Sequence, residues 1–286
     1  MSILLAILVD GVAYGMILFL ISVGLSVTMG LMRVINLAHG GFALIGGALA
    51  HLALIRLGLP WAVAAGLGVL GTVAVAVVLE RAFYRHIYGR PELEQVLATV
   101  GLAFLMIASV NLALGSSLLA LPAPEWMRGS VDLGVRTLPV HRVVVLAAGA
   151  AIALALWALV ERSRFGIRLR AAVDDARAAS ALGIDTGRVY AAAFALGAGL
   201  AALGGILGAE LLPIEAYYPL RYLVLFLFVV AVGGMGSIAG SLAAALALGV
   251  LDTAARYLVP DFGTIFFYLG TMAILAVRPR GLLGRA

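Results

Sequence analysis

Residues 161–190 read ERSRFGIRLRAAVDDARAASALGIDTGRVY, the longest polar interval in an otherwise apolar chain. Leu169, Ala172, Val173, Ala176 and Ala179 recur at helical spacing along it, and Arg170, Asp174, Asp175 and Arg177 occupy the other side. The pattern predicts an amphipathic helix of about four turns, running from Arg168 to Leu182. Gly183 supplies the left-handed residue that a helix end favours. Arg170 and Asp174 stand four apart and are expected to pair, leaving the alanine and leucine side free for packing. A helix lying in lipid headgroups would carry larger apolar residues than alanine, so the interval reads as a docking helix outside the membrane, fitted to a groove on a soluble partner.

The flanking composition says what that helix is attached to. Of 286 residues, 64% are hydrophobic and only 12% charged, with a mean hydropathy of +1.15, which no soluble domain of this size approaches. The charges fall in short islands between continuous apolar runs, and crossing a hydrocarbon core takes roughly 20 residues per helix. Continuous rather than alternating runs exclude a barrel. The expected fold class is therefore all-α: a polytopic integral membrane protein of eight to nine transmembrane helices, a single domain over residues 1–286, with the polar loop at 161–190. The runs are 3–30, 33–54, 60–81, 96–114, 143–160, 191–212, 223–232, 238–258 and 262–277. The seventh is short and ends in glycines. The first lacks a basic leader region and is expected to be a retained span.

All 19 basic residues are arginine. With the polar interval assigned to the cytoplasm, Arg33, Arg81, Arg85, Arg90, Arg162, Arg164, Arg168, Arg170, Arg177, Arg188, Arg278, Arg280 and Arg285 fall inside, and Arg56, Arg128, Arg136, Arg142, Arg221 and Arg256 outside. Thirteen against six agrees with the positive-inside rule and places the C-terminus inside. Arginines at helix ends orient spans, so the net charge of +5 does not call for nucleic acid. Without lysine the chain cannot itself be a P-loop ATPase. There is no cysteine, and no HExxH or GxSxG motif. The histidines are scattered, so no catalytic residue and no metal site is expected.

Two glycine-rich stretches are candidates for the translocation path. In GLMRVINLAHGGFALIGG, residues 30–47, Asn36, His39, Gly40 and Gly41 interrupt an apolar run. That suggests either a discontinuous helix whose freed backbone groups meet a zwitterion, or a helix start with Asn36 as cap and His39 in the headgroups. In AVGGMGSIAGSLAAALALG, residues 231–249, Gly233, Gly234 and Gly236 invite an inverted-repeat reading, although tight helix packing explains the same glycines. Gly11 with Gly15, and Gly197 with Ala201, Gly205 and Gly208, read as close-packing faces. Glu210, Glu215, Asp252 and Asp261 lie near outer span ends. Asp252 and Arg256 are spaced to pair, and Glu215 and Arg221 read as loop charges.

The stretch VDDARAASALGIDTGRVYAAAFALGAGLAALGGILG, residues 173–208, resembles the cytoplasmic coupling loop of ABC-importer permeases, in detail that of LivH-type subunits of branched-chain amino acid transporters. Asp175, Ala179, Ser180, Gly183, Ile184, Arg188, Val189, Phe194 and Gly197 carry the likeness. Arg177, Ala178, Ala179 and Gly183 fill the spacing of the importers' Glu-Ala-Ala motif, with the acid displaced to Asp175. The stretches around Asn36 and Gly233 and the terminal RPRGLLGR resemble the same family, so the likeness spans essentially the whole chain. It implies a permease of the bacterial inner membrane, surrounded by lipid. It also implies a second, LivM-like permease, two cytoplasmic P-loop ATPases that use ATP and Mg, and a periplasmic or tethered solute-binding protein. No cofactor is expected on this chain. Arg170, Asp174, Asp175, Arg177, Ala179, Ser180 and Gly183 are the expected coupling residues. Urea, amides and other amino acids are alternative cargoes, and a stand-alone secondary carrier or channel is the alternative class.

Overall fold

The computed structural model describes residues 2–32, 34–132, 137–279 and 281–283. Arg33, Arg136, Arg280 and Arg285 lie outside them. The chain is an all-α polytopic membrane protein. Its helices are α1 (Ser2–Ser26), α2 (His39–His51), α3 (Trp61–Leu79), α4 (Glu92–Leu114), α5 (Val140–Glu161), α6 (Arg164–Asp174), α7 (Ala176–Ala181), α8 (Thr186–Gly208), α9 (Leu223–Gly233), α10 (Ile238–Leu258) and α11 (Gly263–Val277). Among the described residues the sheet is a two-stranded hairpin, β1 (Ser130–Asp132) with β2 (Thr137–Pro139), within the loop before α5.

Among the described residues, eight helical stretches are long and apolar enough to cross a bilayer. Proline precedes three of them: Pro60, Pro91 and Pro139 stand directly before α3, α4 and α5, where a fixed φ and a missing N–H cost nothing. The apolar window of α8 is 72% buried and that of α11 only 17%, which puts α8 at the centre and α11 on the rim.

Glycine makes the centre. A Cβ on Gly24 would sit 2.4 Å from the Gly197 carbonyl, and one on Gly249 2.5 Å from the Gly11 carbonyl. Thus α1 meets α8 and α10 backbone to backbone. Gly46 meets Ala202, and Gly205 meets Ala43, bringing α2 against α8 in the same way. Lipid tails are as apolar as leucine, so close van der Waals approach, rather than water exclusion, drives this association.

The seventh run departs from a simple span. At 11 residues α9 reaches about 16 Å, half a hydrocarbon core. The chain before it supplies the rest as irregular backbone with one helical turn, Tyr218–Arg221. That segment is buried at Leu212, Ile214, Ala216 and Tyr218. Ile214 lies against Gly47, and its carbonyl accepts from the Leu119 N–H (2.9 Å). Pro219 lies against Gly40. Non-helical backbone survives at membrane depth only when protein covers it, as here.

Candidate coupling face and polar cavity

The polar interval does not form one helix from Arg168 to Leu182. It breaks at Asp175, whose backbone is extended (φ −149°), into α6 and α7. Each piece carries its own cap. Ser163 accepts from Phe165 and Gly166 N–H, Asp175 from Arg177 (2.9 Å) and Ala178 (3.0 Å), and Asp185 from Arg188 (3.0 Å) at the start of α8. A second aspartate after Asp174 offers the backbone a cap, and capping outcompetes helix continuation there. Gly183, at φ +81°, closes α7. Ile184 N–H bonds the Ala179 carbonyl and Gly183 N–H the Ser180 carbonyl, the two bonds of a Schellman motif.

The break also decides which side faces out. Leu169, Ala172 and Ala179 are buried, with Leu169 and Ala172 packing against Val27, Val189 and Ala193. The alanine and leucine side that read as free for a partner is therefore spent on the chain's own bundle, and Ala176, expected on it, is exposed. What faces outward is Asp174, Asp175, Ala176, Arg177, Ala178, Ser180 and Leu182. Leu182 is 82% exposed. Arg170 does not pair with Asp174. It turns back to the end of α5, donating to the Val160 carbonyl (2.8 Å) and reaching Glu161 (3.5 Å). Arg170, Asp174, Gly30 and Gly236 line one cavity of about 580 Å³, so the interval touches the ends of both glycine-rich stretches. Those stretches meet each other: a Cβ on Gly30 would overlap the Gly236 backbone. Gly234 and Gly236 both take positive φ, 89° and 81°, and Gly233 lies on the Gly240 backbone.

Between α1 and α2 the backbone is irregular, and side chains complete its hydrogen bonds. Asn36 Oδ1 accepts from Ala38 N–H (3.1 Å) and from the Tyr84 hydroxyl (2.8 Å). Gln95 accepts from Ile35 N–H (2.8 Å), and Thr99 from Leu37 N–H (3.2 Å). His39 donates through Nε2 to the Ile21 carbonyl (2.9 Å) and is buried, so it does not sit among headgroups. Gly40 packs on Pro219 and Gly41 on Met106. Tyr84, Gln95 and Thr99 escaped the sequence reading. The signal was there in Gln95 and Thr99, four apart at the mouth of an apolar run. Asn36 is not the α2 cap, since Ala38 holds that position, and Asn36→Ala leaves both the Tyr84 hydroxyl and the Ala38 N–H without their acceptor, at a cost of about 1–3 kcal/mol. Tyr84→Phe removes only one donor. Thermal unfolding in detergent is expected to show the larger loss for Asn36→Ala, and equal losses would contradict this network.

At the opposite end of the bundle lies a cavity of about 610 Å³. Asp10, Arg142, Arg221, Asp252 and Arg256 line it, with Tyr14, Tyr222 and Tyr268 on its walls. Asp10 pairs with Arg142 and accepts from the Tyr257 hydroxyl (2.7 Å). Asp252 and Arg256 pair as their spacing predicts (2.8 Å). Glu215 and Arg221, read as loop charges, pair at 2.5 Å. Beside this end His141 donates to the Leu207 carbonyl and lies 3.2 Å from Glu210.

Residues 7–275 match the family described as the branched-chain amino acid transport system permease component. The chain belongs to that permease family. The permease is 30% identical to the high-affinity branched-chain amino acid transport system permease protein LivH of Salmonella typhimurium, over 96% of this chain and 94% of the relative. It is 29% identical to LivH of Escherichia coli over the same shares. Its identity to BraD of Pseudomonas aeruginosa is 25%, over 97% of this chain and 95% of that protein. No solved structure matches it. The polar interval at 161–190 and both glycine-rich stretches lie within the residues that match the family.

Proposed function

We propose that this permease is the transmembrane subunit of an ABC importer for branched-chain amino acids in a bacterial inner membrane. A second, LivM-like permease completes the path, two P-loop ATPases dock from the cytoplasm, and a solute-binding protein delivers from outside. The observation that carries the reading is the family match across residues 7–275. The capped α6–α7 pair supports the coupling role, since it is pinned to α5 and α8 while presenting Leu182 outward. ATP and Mg, held by the partners, supply the work. The face over 174–182 passes the movement inward through Arg170 to α5 and through Leu169 and Ala172 to α8 and the end of α1. Rocking these elements shifts the Gly30–Gly236 contact and alternates access between two states. Asn36, His39, Gly40, Gly41, Gly233, Gly234 and Gly236 belong to the part that rearranges. The Asn36 Nδ2 donor, buried with no acceptor among the described residues, is held in reserve for the other state.

Reconstitution with the second permease, both ATPases and the binding protein tests this. ATP-dependent uptake of leucine, isoleucine and valine into proteoliposomes is expected. Urea uptake without leucine or valine would overturn the cargo, and uptake by the permease alone without ATP would overturn the class.

A further inference from the structure

The three acid–arginine pairs around the 610 Å³ cavity are not equivalent. The Asp10 and Asp252 side chains are 8% and 5% exposed, and Asp10 also holds Tyr257, so these two carboxylates are fixed parts of the wall, although the Arg256 side chain that Asp252 holds is itself 63% exposed. Arg221 is 60% exposed and Glu215 28%. Both sit on the irregular segment before α9, six residues apart, so exchanging their bond for another requires no separation of helices. Arg221 therefore offers a guanidinium whose present partner is replaceable. Its cost to turn is small because water screens an exposed ion pair.

The cavity has the other features that a zwitterionic aliphatic solute requires. Its charges balance, with three guanidiniums against the carboxylates of Asp10, Asp252 and the adjoining Glu215, so a solute with no net charge meets no net field. Leu212, Leu225 and Phe267 provide an apolar wall. Its volume lies within the roughly 300–1,000 Å³ of small-molecule sites. Asp252 lines the same space as Arg221. The segment carrying Arg221 continues through Pro219 to Gly40 and through Ile214 to Gly47, so whatever turns Arg221 is felt at the start of α2.

We infer that this cavity receives the transported amino acid from the outer side, Arg221 binding its α-carboxylate in exchange for Glu215 and Asp252 facing its ammonium group. The inference rests on the importer reading above. Because the guanidinium is planar and donates two parallel bonds, lysine is an incomplete substitute for it.

The experiment uses the full complex in proteoliposomes, with radiolabelled leucine and MgATP, and measures uptake alongside ATP hydrolysis stimulated by the binding protein. Arg221→Gln is expected to lower uptake at least about tenfold, the worth of a hydrogen bond to a charged group, while stimulated hydrolysis persists. Arg221→Lys is expected to recover part of the uptake. Glu215→Gln, which removes the competing in-chain partner but leaves the guanidinium in place, is expected to lower uptake far less than Arg221→Gln does. Equal losses in Arg221→Gln and Glu215→Gln would show a structural pair and overturn the assignment, as would wild-type uptake in Arg221→Gln. Parallel loss of uptake and stimulated hydrolysis in Arg221→Gln would also overturn it. If the wild-type complex carries a zwitterion other than leucine, the cargo reading fails, yet loss of that solute in Arg221→Gln still supports the site.

Discussion

Gly24→Leu is expected to abolish the folded permease. The added Cβ would stand 2.4 Å from the Gly197 carbonyl and 2.7 Å from the Gly197 Cα, so it meets backbone rather than a side chain that can swing away. Relief requires α1 to part from α8, and these two helices organise the others, since α1 also meets α10 at Gly11, Gly15 and Gly249, and α8 also meets α2 at Gly46 and Gly205. Overpacking a tight core costs about 1–3 kcal/mol even where some adjustment is possible. Here there is little, and the total stability of a protein is only about 5–15 kcal/mol. The measurement is the monodisperse fraction and melting midpoint of detergent extracts by fluorescence-detected size exclusion. Gly66→Ala and Gly101→Ala serve as contrasts, because a Cβ at either position of α3 or α4 meets nothing within 4 Å. Both are expected to hold or raise the midpoint, by up to about 1 kcal/mol of helix propensity. A Gly24→Leu protein that melts with wild type would refute the role given to the α1–α8 contact.

Leu182→Asp is expected to release the ATPases while leaving the permease folded. Leu182 is 82% exposed at the end of α7, and burying it against a partner is worth about 1.5–3 kcal/mol. Substituting a carboxylate removes that and adds a desolvation cost, so a loss of at least about 2 kcal/mol, roughly 30-fold in affinity, is expected. Co-purification with the ATPases and the melting midpoint of the permease alone read the two halves of this expectation. Gly183→Val acts on the same face indirectly. It forces a β-branched residue to φ +81°, at about 1–3 kcal/mol, and displaces the turn that presents Leu182. Stoichiometric ATPases retained on Leu182→Asp would place the coupling contact elsewhere.

Much of this was legible from residue order because membrane physics is local. Each span must satisfy its own backbone, so long apolar runs announce helices, and among the described residues eight of the nine runs hold helices of spanning length. The spacing of Gly11 with Gly15 and of Gly197 with Gly205 announced helices that take another backbone closely, whereas Gly208 meets only the Ile17 side chain. Gly183 announced a helix end, and the positive φ is there. The resemblance carried by Asp175, Gly183 and Phe194 led to the family to which the chain belongs.

What failed was wherever two local preferences competed or where the partner lay far along the chain. Periodicity ran through Asp174 and Asp175 as one helix, yet the second carboxylate caps a new one, and this turned the apolar side of the interval onto α8 rather than toward a partner. Arg170 had an acid four residues on, but the α5 terminus offered a carbonyl as well as Glu161. Asn36 and His39 could not be placed because their partners, Tyr84 and Ile21, are 48 and 18 residues away. The polar cavity was invisible for the same reason: Asp10, Arg142 and Tyr257 belong to three different helices or their ends and meet only after packing.

The sequence by itself determined the solvent in which this chain folds, the number and order of its apolar runs, the close-packing glycines and the family. These depend on composition and spacing within one segment. Only the tertiary structure decided that the polar interval is a broken pair with Leu182 outward and Leu169 inward, that the seventh apolar run is a short helix preceded by irregular chain covered by α2, and that five charges scattered between Asp10 and Arg256 come together at one cavity. The reason is that these features depend on which helices approach one another, and glycine-to-glycine contacts between segments more than 150 residues apart set that approach.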